Sequence, residues 1–264
     1  MTGLHALARR MRSVGRLLVL LATALQGCGH FLLLHLRGKP SVMERARWLH
    51  RWCSRALQRL AIGTEAHGTF PSSGLLVANH LSYLDILVFS ALSPCVFVAK
   101  KEVRSWPLFG AMACMAGTVF VDRSRAAGVQ RASGQMSEAL SAGVVVVLFP
   151  EGTSSDGSTV LPFRPALFEP AVLAGEQVSC VHIRYELEAG SVANDVCYWG
   201  AMTFFPHLLR LLATRALRAK LRFGMEATMF GDRKLAAQVT RDTVAALAVA
   251  QGFSPAAPGN QPQG

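Results

Sequence analysis

The sequence predicts an α/β fold, with a mainly parallel central sheet flanked by helices and an N-terminal membrane-associating helical segment. From about residue 61 onward, apolar strand-like runs alternate with helical stretches, a rhythm typical of helices packed on a parallel sheet. The run Val144–Leu148 shows no polar alternation, as expected for a strand buried on both faces. A chain of 264 residues is long enough to bury one such core.

The chain is expected to have three parts. Residues 1–41 form a basic and hydrophobic membrane-associating segment, and residues 42–251 form one globular domain. Residues 252–264 are rich in Pro, Gly, Gln and Ala, a composition that predicts a disordered tail.

Within the N-terminal part, the stretch from Leu17 to Leu36 carries no formal charge. As a helix it would be about 30 Å long, which matches one hydrocarbon core. Its middle, residues 26–30, is polar and glycine-containing, and would be costly at the bilayer centre. A spanning helix and a bent, re-entrant or interfacial helix pair therefore both remain open. A cleaved signal peptide is less favoured, because the apolar run continues past Ala24.

Residues 42–60 have the pattern of an amphipathic helix. Trp48, Leu49, Trp52 and Leu60 recur at helical spacing, and arginines separate them. The apolar face could pack on the core of the domain, and the two tryptophans would also suit a bilayer interface.

The remaining elements alternate along the chain. The predicted strands are Gly74–Ala78, Cys95–Lys100, Gly117–Val121, Val144–Phe149, Val178–Tyr185 and Leu221–Phe223. The predicted helices are Tyr83–Leu92, Trp106–Cys114, Ala126–Ala142, Pro165–Ala174, Phe204–Arg218 and Asp232–Ala250.

Composition narrows the class of partner. Hydrophobic residues make up 51% of the chain and charged residues 16%, while the formal net charge is +11. This balance is too apolar for an ordinary cytosolic enzyme and suggests an anionic partner. The sequence contains no recognisable helix-turn-helix or zinc-finger pattern and only 3 tyrosines, so an anionic membrane surface is favoured over nucleic acid. The six cysteines form no C-x-x-C pair and are expected to be reduced thiols.

Three loops that directly follow predicted strands carry polar residues that an apolar domain does not need for folding. They are residues 79–85, residues 122–125 and residues 149–157. Ligands of open α/β sheets bind beyond the carboxyl ends of the strands. We therefore expect these loops to converge on one crevice.

The first loop contains His80 and, five residues later, Asp85. Histidine can accept and return a proton near neutral pH, and a carboxylate on its other ring nitrogen fixes the tautomer. In an uninterrupted helix these residues would point about 140° apart, so the chain must turn between them. Such a pair is more often structural than catalytic, and the residues of this loop alone leave both readings open.

Together the three loops resemble the glycerolipid acyltransferase family typified by 1-acylglycerol-3-phosphate acyltransferase. The family's Asn-His-x-x-x-x-Asp block, its Gly-x-x-Phe-x-x-Arg block and its Phe-Pro-Glu-Gly-Thr block are all present, in that order. They are met by Asn79, His80 and Asp85, by Gly117, Phe120 and Arg123, and by Phe149, Pro150, Glu151, Gly152 and Thr153.

This resemblance implies a role for each site residue. His80 would be the general base that deprotonates an acceptor hydroxyl, and Asp85 would orient it. Substrate-binding roles follow for Asn79, which also shapes the turn, for Arg123 on an anionic head group, for Glu151 on the acceptor, and for the backbone of Gly152 and Thr153. Outside the family blocks, Arg164 is a further candidate for contacting the anionic head group, and a packing role for it is equally open. No metal and no organic cofactor are implied, because the thioester of acyl-CoA or acyl carrier protein supplies the leaving group.

Two departures from the family pattern bear on the acceptor. The family often continues Glu-Gly-Thr with Arg-Ser, whereas Ser154 and Ser155 follow here. A proline that the family places near residue 180 is replaced by Cys180. The expected acceptor is 1-acylglycerol-3-phosphate, and another lyso-lipid such as lyso-ornithine lipid is the alternative. The expected location is a membrane, with the catalytic domain facing the cytoplasm (the inner membrane if the chain is bacterial).

Two other classes of protein fit the sequence less well than an acyltransferase. A serine hydrolase would require a Gly-x-Ser-x-Gly elbow, and the sequence has none. A non-enzymatic basic membrane-binding module would not need the His–Asp pair, which is intact here.

Overall fold

A computed structural model describes residues 2–106, 109–122 and 126–252 of the protein. Arg123 and residues 253–264 of the expected tail lie outside the described residues. The helices are α1 (Thr2–Leu36), α2 (Val42–Leu60), α3 (Leu84–Leu92), α4 (Phe109–Ala116), α5 (Ala126–Ser141), α6 (Glu169–Leu173), α7 (Val192–Asp195), α8 (Phe204–Ala213) and α9 (Arg233–Ala250). The strands are β1 (Gly63–His67), β2 (Leu75–Ala78), β3 (Cys95–Lys100), β4 (Val119–Val121), β5 (Val145–Leu148), β6 (Val178–Glu186) and β7 (Arg218–Phe223).

The strands form one seven-stranded sheet in the order β1-β7-β6-β2-β5-β3-β4. Every neighbouring pair is parallel except β6 and β7, which are antiparallel. Strand β2 lies between β5 and β6 in the middle of the sheet. The loops after β2 and β5 therefore emerge side by side, at the edge where ligands bind in such folds. The predicted fold class is confirmed.

Both faces of the sheet are covered by helices. Leu76 and Ala78 of β2 face a core that includes α2, α3 and α8, while Leu75 and Val77 face a second core that includes α5 and α9. All four residues of β2 are fully buried, as are those of β5. Burial on both faces explains why the valine run shows no alternation.

Several details differ from the sequence-based prediction. Helix α7 was not predicted, and the helix predicted at Pro165–Ala174 is a 3₁₀ turn, Pro165–Leu167, followed by the short α6. Strand β1 was not predicted, because all five of its residues are exposed and it lacks the apolar alternation that marks a half-buried strand. Helix α8 ends at Ala213 rather than Arg218, and the chain then enters β7. Of the helix predicted at Trp106–Cys114, the structure describes Phe109–Ala116 as helix, and Lys101–Ser105 before it form a 3₁₀ turn. The described cysteines are free thiols.

Helix α1 is one continuous helix of 35 residues, so the bent or paired arrangement does not form. Among the described residues, its segment His5–Leu36 is the one stretch whose length and composition would suffice to cross a membrane. The helix nevertheless packs along the domain. Ser13 Oγ donates to the carbonyl oxygen of Leu209 at 2.8 Å, and Arg12 and Arg16 donate to the carbonyls of Ala213 and Thr214 at 2.9 and 2.8 Å.

The polar middle of α1 faces α2. Trp48 Nε1 donates to the carbonyl oxygen of Gly27 at 3.0 Å, and Arg59 donates to Gln26 Oε1 at 2.8 Å. A side chain at Gly27 would meet the Trp52 ring at 3.3 Å, so glycine permits this close approach. The segment that seemed too polar for a bilayer is thus accommodated by protein.

The opposite face of α1 is apolar and exposed. We call it the exposed stripe, and it consists of Leu7, Met11, Val14, Leu18, Leu21, Leu25, Leu32, Leu33 and Leu36. Their exposed fractions run from 38% to 76%. An uninterrupted apolar face of this length is characteristic of an interaction site rather than of ordinary protein surface.

Candidate active site

The loops that follow β2 and β5 meet at a crevice with roughly 1000 Å³ of open space. Its wall includes His80, Lys100, Phe149, Tyr198 and the 152–154 loop. Two of the three predicted loops therefore converge as expected. Arg123, in the third loop, lies outside the described residues.

His80 and Asp85 form a close pair at this crevice. His80 Nδ1 lies 2.8 Å from Asp85 Oδ2. Asp85 occupies the first turn of α3, and residues 80–83 make the turn that brings the two side chains together. The imidazole side chain is 20% exposed, and the carboxylate is fully buried.

The Asp85 carboxylate is held by further donors. The backbone N–H groups of Leu81 and Ser82 donate to Oδ2 at 2.7 and 3.0 Å, and the Tyr185 hydroxyl donates to Oδ1 at 2.5 Å. A buried carboxylate needs such partners to remain ionised. Because a carboxylate oxygen accepts hydrogen bonds, this contact assigns the imidazole proton to Nδ1 and leaves Nε2 as the basic nitrogen.

The other face of the imidazole is also fixed. The rings of His80 and Phe149 stack with their centroids 4.2 Å apart and their planes 17° from parallel. Phe149 in turn stacks on Phe97 at 6.2 Å. The histidine is thus positioned by Asp85 in the first turn of α3 and by Phe149 directly after β5, with the Phe97 ring of β3 behind Phe149.

Asn79 is 3% exposed and does not line the crevice. Its side-chain Nδ2 donates to the carbonyl oxygen of Ile183, and the Ile183 N–H donates to Asn79 Oδ1, both at 2.9 Å. These bonds anchor the start of the catalytic loop to β6. Contact between Asn79 and a substrate stays a prediction.

Glu151 is 3% exposed and lies beneath the loop rather than on the crevice wall. Its Oε1 accepts a hydrogen bond from the Leu161 N–H at 3.2 Å. Burial raises the pKa of Glu151 to about 8, and the Asp85 charge adds to the rise, against the opposing effect of backbone hydrogen bonds. At neutral pH this carboxyl is mainly protonated. Its predicted contact with the acceptor has no geometric support here and stays a prediction.

The loop that contains Glu151 is tied to the catalytic loop. The Ser155 N–H donates to the carbonyl oxygen of His80 at 3.0 Å. Gly152 and Thr153 line the crevice, as the predicted role of their backbone requires. Gly152 has φ +73°, a conformation that favours glycine. Ser154 donates its hydroxyl to the carbonyl oxygen of Tyr198.

Arg164 lies behind the same loop. Its Nε donates to the carbonyl oxygen of Glu151 at 3.3 Å, and its N–H donates to that of Pro150 at 2.9 Å. It is absent from the crevice wall, where Lys100 is the cation among the described residues. A head-group contact by Arg164 stays a prediction.

An apolar chamber adjoins the crevice. The two share five wall residues: Tyr83, Ile86, Ala99, Val103 and Trp106. The far wall belongs to α1 and α2, through Leu20, Ala24, Trp52 and neighbours. The chamber could not be predicted from sequence, because its wall residues have the same apolar spacing as core residues.

Sequence reasoning also missed Tyr185 and Lys100, which lie at the ends of predicted strands. A polar hydroxyl at a strand position that faces the core was the available signal for Tyr185. Among the described residues, no group of three or more His, Cys, Asp or Glu side chains is arranged to hold a metal ion.

Comparison with known proteins identifies a family and several relatives. The sequence model of the Acyltransferase family matches residues 64–185. A lyso-ornithine lipid O-acyltransferase of Brucella abortus is 38% identical over 187 residues, which are 66% of this chain and 70% of that protein. A 1-acyl-sn-glycerol-3-phosphate acyltransferase of Neisseria gonorrhoeae is 43% identical over 156 residues, 54% of this chain and 61% of that protein.

One solved structure has the same fold. It is the 1-acyl-sn-glycerophosphate (LPA) acyltransferase PlsC from Thermotoga maritima, with a TM-score of 0.60 and 21% identity. The similarity covers 89% of this chain and 97% of that chain.

Proposed function

Because the chain belongs to the glycerolipid and lysophospholipid acyltransferase family and is an acyltransferase, we propose that it works by general-base catalysis through His80 and Asp85. The observation that carries this proposal is the 2.8 Å pair, with Nδ1 committed to a buried carboxylate and the imidazole on the crevice wall. A base that is oriented in this way can accept a proton from a hydroxyl at Nε2.

The reaction needs few groups. As Nε2 takes the proton of the acceptor hydroxyl, the hydroxyl oxygen attacks the thioester carbonyl and a C–O bond forms. The C–S bond then breaks, and the imidazolium returns its proton to the leaving sulfur. The products are an ester and a free thiol. The donor is acyl-CoA or acyl carrier protein, and the positive net charge would attract either anionic donor.

The apolar chamber suits an acyl chain. It shares the wall residues Tyr83 and Trp106 with the crevice, so an acyl chain in the chamber would have its carbonyl end on the side toward His80. Burying apolar chain surface contributes about 25 cal/mol per Å² to binding.

For the acceptor, we propose lyso-ornithine lipid ahead of the 1-acylglycerol-3-phosphate expected first from the sequence, and the Brucella relative supports this order. Ser154 stands where the family often has arginine, and its hydroxyl is used by the Tyr198 carbonyl. A phosphate monoester gains most from a second guanidinium, whereas an ornithine head group brings its own amine beside its carboxylate. The 1-acylglycerol-3-phosphate reaction remains the second candidate, supported by the Neisseria relative.

The exposed stripe of α1 supports an association with the membrane. A spanning helix would turn every face to lipid, but one face of α1 is bonded to α2 and α8. We therefore place α1 in the plane of the membrane surface, with the stripe in the apolar layer. Both candidate donors are intracellular, so the catalytic domain would face the cytoplasm.

The test is an acyl-transfer assay with labelled acyl-CoA and acyl carrier protein against lyso-ornithine lipid and 1-acylglycerol-3-phosphate. The His80→Ala variant should lose roughly 10²- to 10⁴-fold in rate while keeping its fold and membrane association. Near wild-type turnover of this variant would overturn the assignment of His80 as the base.

The same panel tests the acceptor. Wild-type protein should prefer lyso-ornithine lipid, and Ser154→Arg should shift the ratio of kcat/KM values toward 1-acylglycerol-3-phosphate. Ser158→Arg, at a neighbouring loop position outside the crevice wall, is the matched control for added charge. A wild-type preference for the phosphate acceptor would reverse the proposed order.

A further inference from the structure

We propose that Tyr185 is a positioning residue of the active site, which acts on His80 through the Asp85 carboxylate. The inference rests on the proposed function, because it assigns Tyr185 a part in setting the proton affinity of the catalytic pair. Its hydroxyl lies 2.5 Å from Asp85 Oδ1, on the side of the carboxylate opposite His80.

The sheet explains how Tyr185 reaches this place. Pairing between β2 and β6 ends at Ala78 and Val181, and β6 continues to Glu186. Side chains two residues apart share one face of a strand, so Ile183 and Tyr185 follow Val181 on the same face of β6. Ile183 receives the side chain of Asn79, and Tyr185 extends beneath the turn that carries Asp85.

The hydroxyl must donate in this contact. Tyr185 is 4% exposed and Asp85 is fully buried. Burial and the neighbouring carboxylate raise the pKa of Tyr185 well above its ordinary value, so the phenol keeps its proton. An ionised carboxylate can only accept. Tyr185 therefore delivers a charge-assisted hydrogen bond, which is shorter and stronger than a neutral one.

The two oxygens of Asp85 have different partners. Oδ2 binds His80 and two backbone N–H groups, whereas the hydrogen bond to Oδ1 comes from Tyr185. Without the phenol, Oδ1 would be buried with its negative charge uncompensated. The carboxylate would then hold the proton shared with His80 more tightly, and the base would be free to act only at higher pH.

Other titratable groups face the pair and have to be considered. Glu151 lies under the loop after β5, and its pKa is raised to about 8 by burial. Cys197 lies on the loop after α7, and burial raises its pKa to about 12. Lys100 at the end of β3 lines the crevice. All three are unchanged in a Tyr185 variant, so their effects cancel when its pH profile is compared with that of the wild type.

The experiment is the pH dependence of kcat/KM for the lyso-lipid acceptor with wild-type protein and Tyr185→Phe. The variant should lose roughly 10- to 100-fold in kcat, the usual range for a second layer of support, with an unchanged KM. The acid limb of its profile should move to higher pH. If Tyr185 only filled the core, its replacement would lower the activity without moving the acid limb of the pH profile.

Site-specific incorporation of a fluorinated tyrosine at position 185 provides the opposite change without removing the ring. The more acidic phenol donates more strongly, so the acid limb should move to lower pH. Thr240→Val removes another buried hydroxyl, one bonded to Ala236 at 2.6 Å, and should leave the limb in place.

Coincident acid limbs for wild type and both Tyr185 variants, or a shift of Tyr185→Phe to lower pH, would overturn the positioning role. The proposed function would survive that result as long as His80→Ala is inactive. If His80→Ala is active, the function itself fails, whatever Tyr185 does. If Tyr185→Phe does not fold, the fluorinated variant decides.

Discussion

The side chain of Asn79 pairs with the backbone of Ile183 as if it were one more residue of a strand. Both bonds are 2.9 Å long, one in each direction. Beyond Ala78 the main chain of β2 turns away toward α3. The amide therefore continues the sheet for one more step and holds the residue before His80.

Replacing Asn79 should lower the stability of the protein more than its catalytic rate. Asn79→Ala would leave the N–H and C=O groups of Ile183 without partners, and each buried unpaired group costs about 1–3 kcal/mol. The midpoint of chemical unfolding should fall accordingly. Asn79→Gln tests the geometry, since the same amide on a longer stem cannot make both bonds. Wild-type stability of Asn79→Ala would show that the pair contributes little.

His80 and Asp85 should behave as one unit. Asp85→Asn would present an amide where Leu81, Ser82 and Tyr185 all donate, and would disturb the tautomer of His80. A comparable change in another His–Asp pair lowers kcat by about 10⁴. The double variant His80→Ala/Asp85→Asn should be no slower than His80→Ala alone. If the rate losses of the two single variants instead multiply in the double variant, the two side chains act separately.

The protonation of Glu151 should appear in the pH dependence of stability. Its folded pKa of about 8 exceeds the ordinary value of 4.5. Its contribution to stability is therefore complete below about pH 4.5 and is lost as the pH rises to about 8. The neutral variant Glu151→Gln lacks this loss.

The measurement is the free energy of unfolding of both proteins from pH 5 to pH 9. The advantage of Glu151→Gln over wild type should grow across this range, by at most about 1.4 kcal/mol per pH unit. Parallel curves would contradict a buried, protonated Glu151. Full activity of Glu151→Gln at pH 7 would further support a structural role.

The exposed stripe should determine membrane binding. Leu18 and Leu25 are 62% and 66% exposed, so Leu18→Glu and Leu25→Glu should leave the fold intact. Each leucine moved into the membrane contributes roughly 2 kcal/mol, so the bound fraction should fall steeply in flotation with anionic phospholipid vesicles. The control is Leu235→Glu on α9, where the side chain is also exposed, at 53%. An equal loss of vesicle binding in the stripe variants and in Leu235→Glu would contradict a specific role of the exposed stripe.

The sequence predicted the fold class and the buried strands, but not every element of the fold and not every residue around His80. Strands such as β5 were predictable because complete burial leaves an unbroken valine run. Strand β1 was not, because its pairing with β7 depends on backbone bonds that its exposed side chains do not signal. In α1, Arg12 and Arg16 precede the uncharged stretch, and their hydrogen bonds to carbonyls at the end of α8 could not be predicted from their positions in the sequence.

The same limit holds at the active site. The His80–Asp85 pair is local, five residues apart, so the sequence contains it. Tyr185 reaches Asp85 from a strand 100 residues away, and only the order of strands in the sheet brings the two together. The Glu151 side chain points away from the crevice because residues 150–161 fold back, which brings the Leu161 N–H to Glu151 Oε1. This folding back could not be predicted from the sequence.

The stacking of His80 on Phe149 has a consequence for how the binding energy of the lipid is used. The ring is fixed at its edge by Asp85 and on its face by Phe149, so the direction of Nε2 is set when the protein folds. A substrate that enters the crevice does not have to immobilise the imidazole. Its own contacts can then serve to align the hydroxyl with the thioester, where orientation yields the largest gain in rate.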